Sequence, residues 1–90
     1  MHVVLLAKDK SGALQTRLDN RDAHLAHIDA SGIVSMAGPL LDDAGAMCGS
    51  MIVLEVDEMA QAQAFVDGDP YGKAGLFESV TLTPWKKVVG

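Results

Sequence analysis

Two four-residue runs, Val3-Val4-Leu5-Leu6 and Met51-Ile52-Val53-Leu54, are apolar at every position. A strand turns successive side chains to opposite faces, so such runs put apolar surface on both sides of a sheet. The rest of this 90-residue chain offers two helical regions, which can cover only one of those faces. Soluble monomers rarely leave the other face as an open apolar patch. A sheet-on-sheet homodimer is therefore expected, with further assembly open.

The elements between these runs follow from local chemistry. Residues 2–7 read as a strand buried on both faces. Residues 11–31 read as helical, opened by Ser11 or Gly12, with Asn20 a point of interruption and Gly32 the stop. On a helical wheel Leu14, Leu18, Leu25 and Ile28 share an arc of about 80° and form the expected buried face. Arg17, Arg21 and His24 border that arc, whereas His27 points to solvent. Ile33 to Leu41 form a second strand interrupted by Gly38-Pro39, which fits an edge or a bulge. Asp42-Asp43-Ala44-Gly45 is turn chemistry, and Ser50 to Val56 answers as the hairpin partner.

Asp57 is the expected N-cap of the next helix, with Met59, Ala62, Phe65 and Val66 inward and Gln61, Gln63 and Asp67 outward. Asp69-Pro70 opens a short helical turn, aspartate as cap and proline at the first position, and Gly75 closes it. The last strand runs from Leu76 to about Thr83. Leu76, Glu78, Val80 and Leu82 alternate there with Phe77, Ser79, Thr81 and Thr83. The order β-α-β-β-α-β is the split βαβ motif. It predicts one α+β, ferredoxin-like domain over residues 1–90, a four-stranded antiparallel sheet with its helices on one face.

Several function classes drop out. A net charge of −5 argues against nucleic acid, which needs clustered Lys and Arg. No run of 18 apolar residues spans a membrane, and Met1 to Lys8 reads as a strand and not a signal peptide. The single cysteine, Cys48, excludes an internal disulfide framework. A cytoplasmic protein is expected. No glycine-rich phosphate loop is present, so no cofactor is expected. His24, His27 and Asp29 lack zinc-site spacing, and His24 with Asp69 gives too few ligands for a metal. Cys48 reads as a spectator thiol, and Ser50 lacks a nucleophile-elbow context.

His24 and Asp69 are the candidates for chemistry. A carboxylate on one imidazole nitrogen fixes the tautomer and raises the basicity of the other, as a general base requires. The plain alternatives are that Asp69 is only a helix cap and His24 a border histidine with a backbone partner. Arg17 and Arg21 offer an anion pocket, although such side chains usually extend to water. Tyr71, with Ser35 and Met36 on the second strand, would line the site. Trp85 reads as a pocket wall or an intersubunit residue, with packing favoured.

The segments Arg21-Asp22-Ala23-His24-Leu25, Ala37-Gly38-Pro39-Leu40-Leu41, Gly49-Ser50-Met51-Ile52-Val53 and Asp67-Gly68-Asp69-Pro70-Tyr71 carry a further signal. Together with Ala74-Gly75-Leu76-Phe77 and Pro84-Trp85, they resemble the YCII-related family over nearly the whole chain. The resemblance implies a ferredoxin-like subunit that pairs into a dimeric α/β barrel. It also implies an active site holding the histidine of Arg-X-X-His-Leu and the aspartate of Asp-Pro-Tyr, here His24 and Asp69. One branch of that family resembles a dehydrochlorinase of a chlorinated hydroxyhydroquinone. Two readings follow: a cofactor-free acid–base enzyme on a small oxygenated ring, or a homodimeric module that binds a small ligand without chemistry. An open cleft beside His24 would favour the first, and a filled one the second.

Overall fold

The computed structural model describes residues 1–90. Its elements are β1 (His2–Asp9), α1 (Leu14–Ser31), β2 (Val34–Leu41), β3 (Met47–Glu55), α2 (Met59–Gly68), α3 (Pro70–Lys73) and β4 (Phe77–Trp85). The strands form one antiparallel sheet in the order β2-β3-β1-β4. This is the expected ferredoxin-like arrangement, and the two all-apolar runs fall on its central strands. The rim strands β2 and β4 carry Pro39 and Pro84, where a missing N–H is tolerated.

The core is aliphatic. Val3, Leu5 and Ala7 of β1 meet Ile52 and Leu54 of β3, with Val56, Ala62 and Phe65 closing over them. The alternate residues lie on the far side of the sheet, where Leu6 and Met51 are 43% and 40% exposed. The expectation that β1 is buried on both faces therefore fails for a single subunit, because all three helices sit on one side. Leu6, Met51, Met36, Leu40 and Trp85 remain as open apolar surface. No helix is long and apolar enough to cross a membrane.

Other local readings need correction. Helix α1 begins at Leu14, after Ser11-Gly12 has formed a turn. It runs through Asn20 unbroken, since the Asn20 amide donates within the helix to the Thr16 carbonyl at 2.9 Å. Leu14, Leu18 and Leu25 are exposed, whereas Arg17 and His24 are the buried residues of this helix. The inward stripe is thus displaced by about 70° from the centre of the leucine arc, and of the four residues in that arc Ile28 packs on the core. His27 is not solvated: its Nε2 lies 2.9 Å from the Phe65 carbonyl oxygen, and the two rings are 4.6 Å apart.

Strand β2 is continuous through Gly38-Pro39, with its register shifts instead between Val34 and Met36 and between Leu40 and Leu41. Strand β3 starts earlier than expected, at Met47. The cap of α2 is Glu58 and not Asp57, because Glu58 and Gln61 satisfy each other's backbone in a capping box. In β4, a shift at Lys8/Asp9 sets Ser79 against Lys8 and Phe77 against Asp9. The strict alternation breaks there, and Phe77 packs on the core beside Val80 and Leu82.

Gly32 closes α1 in the left-handed region, at φ 67°. A Cβ there would meet nothing within 4 Å, so substitution costs backbone strain alone. Gly32→Ala is expected to lower stability by about 1 kcal/mol, read as a shift of the urea midpoint at unchanged slope.

Candidate active site

The site begins at a backbone restriction. Asp69 precedes Pro70, which pushes it out of helical space, and it adopts φ −68° and ψ 122°. That kink ends α2 and starts α3. It also turns the Asp69 carboxylate inward, where Oδ1 accepts from the Tyr71 backbone N–H at 3.0 Å. The same oxygen lies 2.8 Å from His24 Nδ1. Cap and dyad are therefore one oxygen, and both side chains are nearly closed to solvent, at 2% and 7%. With the carboxylate on Nδ1, a neutral imidazole would carry its proton there and keep a lone pair on Nε2.

A column of side chains packs against this pair. The Tyr71 ring stacks on His24, with centroids 3.9 Å apart and planes 16° from parallel. The Arg17 guanidinium carbon lies 4.7 Å from the Tyr71 centroid. Arg17 is itself gripped by Asp9, Nε to Oδ2 at 2.8 Å and Nη2 to Oδ1 at 2.9 Å. Nη2 also donates to Ser50 Oγ at 2.9 Å. The expectation that Arg17 reaches to water is thus corrected: it is 3% exposed, because a carboxylate at the end of β1 meets it. Burial alone would lower the Arg17 pKa, but the hydrogen bond and charge of Asp9, with Tyr71 adding, outweigh it and raise the value. Arg17 stays cationic.

Burial also raises the pKa of the Tyr71 phenol, against the opposing pull of Arg17 and Arg21 and with a further push from Asp69. The protein has one tyrosine, so its titration reads directly by ultraviolet difference absorbance. The folded midpoint should lie above the ordinary value of about 10, and unfolding should restore that value. The folded state holds this proton more tightly, so the stability linked to it is complete below about pH 10 and is lost as pH rises through the folded midpoint.

A cleft of about 200 Å³ opens between α1 and the β2–β3 hairpin. Arg17, Arg21, His24, Ser50 and Tyr71 give it a polar side, and Leu25, Ile28, Ala37, Gly38, Pro39, Met47 and Ile52 an apolar one. Of the candidates named from sequence, His24, Tyr71 and Arg21 meet in this cleft, and Asp69 stands behind His24. Ser35 and Met36 do not line it. Ser35 falls at the β2 register shift, and Met36 faces the open side of the sheet, where it is 54% exposed. Asp9, Arg17 and Ser50 complete the polar cluster. Ser50 shares the inward phase of Ile52 and Leu54, a period-two signal present in the sequence. The Asp9–Arg17 pairing has no such local signal. No group of three His, Cys, Asp or Glu side chains gathers anywhere in the chain.

Comparison with known proteins gives the family and the fold. A family model described as the YCII-related domain matches residues 1–86. Protein YciI of Escherichia coli O6:H1 is 39% identical over 97 aligned positions, covering 98% of this chain and 99% of that protein. Among solved structures, the 5-chloro-2-hydroxyhydroquinone dehydrochlorinase TftG of Burkholderia phenoliruptrix AC1100, in complex with 2,5-dihydroxybenzoquinone, superposes with a TM-score of 0.87. The two are 35% identical, with 96% of this chain and 94% of that one covered. Rv0793 of Mycobacterium tuberculosis shares the fold alone, at TM-score 0.60 and 11% identity over 98% and 97% of the two chains.

Proposed function

The chain belongs to the YCII-related family, and on that premise we propose that it is a cofactor-independent acid–base enzyme acting on a small oxygenated ring. His24 Nε2 takes or returns the proton, and Asp69 holds Nδ1–H and stabilises the imidazolium. The reaction class is elimination of a halide or water, or isomerisation, since these need one proton-transfer group and no hydride acceptor. One observation carries the reading: the His24–Asp69 pair borders an open cleft of about 200 Å³ and is not filled in by neighbours. A cavity of roughly 150 Å³ admits benzene, so one substituted ring fits and a drug-sized ligand does not. The likeness to a dehydrochlorinase with a dihydroxyquinone bound supports the same class.

The test is a screen of chlorinated hydroxyhydroquinones and hydroxyquinones against purified protein, followed by chloride release and ring absorbance. Turnover above the uncatalysed rate supports the enzyme. Stoichiometric binding without turnover moves the protein to the ligand-binding reading.

The assembly proposed with this function is a homodimer through the open sheet face. Trp85, the one tryptophan, lies on that face, 5.9 Å from the His2 ring and 42% exposed in one subunit. In solution the protein should sediment at twice the single-chain mass. Leu6→Glu should halve that mass and shift Trp85 emission to the red, and an unchanged dimer would refute this use of the face.

A further inference from the structure

Every charged side chain that lines the cleft is basic or able to become so: Arg17, Arg21 and His24. No carboxylate reaches it, although the chain as a whole carries −5. Asp9 neutralises Arg17 from behind, and Asp69 is occupied by His24 and the Tyr71 N–H. Arg21 takes part in no ion pair. Ser50 is 3% exposed and faces this space. Its oxygen accepts from Arg17 Nη2 at 2.9 Å, and its own O–H donates to no group of the protein. A hydroxyl whose oxygen receives a bond from a fixed cation is a polarised donor with its proton directed elsewhere. The remaining direction is the cleft.

We infer that Ser50, set by Arg17, and Arg21 form an oxyanion subsite in the same cleft as His24, so that the ring is bound as its ionised phenolate or enolate. Ser50 would give the hydrogen bond and Arg21 the charge. This deepens the ring-metabolite reading and rests on it. The geometry selects acidic hydroxyquinones over neutral phenols of equal size.

The experiment is calorimetric titration with 2,5-dihydroxybenzoquinone, an anion at neutral pH, and with hydroquinone, which stays neutral. The proteins are wild type, Ser50→Ala, Ser50→Thr and Arg21→Gln, each first checked for folding by circular dichroism. Hydrogen bonds to charged groups correspond to roughly ten- to hundredfold in affinity. Ser50→Ala should weaken the anion by that factor and leave hydroquinone unchanged, and Ser50→Thr should recover most of the loss. Arg21→Gln should weaken the anion and flatten the dependence of its affinity on salt. Anion affinity within twofold of wild type in both Ser50→Ala and Arg21→Gln overturns the subsite while the ring reading stands. Failure of wild type to bind either ring overturns the ring reading and the subsite together.

Discussion

Asp69→Asn is expected to reduce kcat/KM by about one to two orders of magnitude while the fold stays intact. Asparagine is as good a helix cap as aspartate, so its side-chain oxygen can still accept the Tyr71 N–H that Oδ1 accepts in the native protein. That same oxygen also faces His24 Nδ1, so the tautomer is kept and what is lost is the negative charge that stabilises the imidazolium. The basicity of Nε2 falls with that charge, with almost no change in packing. His24→Ala should remove turnover as well, but less cleanly. It leaves Asp69, 1% exposed, with its charge answered only by the Tyr71 N–H, so stability falls too. Steady-state kinetics with circular dichroism melts decide the matter. Full turnover in folded Asp69→Asn would mean that the Asp69 charge does no catalytic work and that Asp69 acts only as a cap.

The second large effect is on stability. Asp9→Ala should cost about 3–5 kcal/mol, the usual range for stranding one member of a buried ion pair. The Asp9 and Arg17 side chains are 6% and 4% exposed, and without Asp9 the guanidinium keeps only Ser50 and the face of Tyr71. A domain of this size has only roughly 5–15 kcal/mol in hand, so the urea midpoint should collapse. The double variant Asp9→Ala with Arg17→Met should regain most of the loss, because an apolar pair of similar volume removes the desolvated charge. A single-variant loss below about 1 kcal/mol would show that water enters and screens the pair.

These two sites also mark how far the sequence could be read. Strand order, hairpin and helix positions follow from period-two runs, turn residues and the Asp69-Pro70 cap, because such signals are local. The His24–Asp69 pairing spans 45 positions, and it is legible only through residue types that make sense together and through the family resemblance. The inward stripe of α1 lies about 70° from the centre of the leucine arc, and the two share Ile28. A helical wheel gives angles between side chains and leaves open which arc meets the sheet. Here the arc that turns in is the polar one, Arg17 and His24, because carboxylates from β1 and α3 wait for it. Asp9 was overlooked for the same reason: nothing within a few residues of it announces an arginine eight positions away. The β4 alternation failed at the shift opposite Lys8/Asp9, which depends on a neighbouring strand and not on β4 itself.

The two rim prolines bear on how molecules of this protein meet. A sheet rim exposes unpaired backbone groups that invite another strand, and repeated addition of that kind leads to fibrils. Pro39 lies in β2 and Pro84 in β4, the two outermost strands, so each rim has a gap in its row of donors. Growth along the plane of the sheet is interrupted on both sides. Contact through the broad apolar face stays available, which favours a closed, finite assembly over open-ended aggregation.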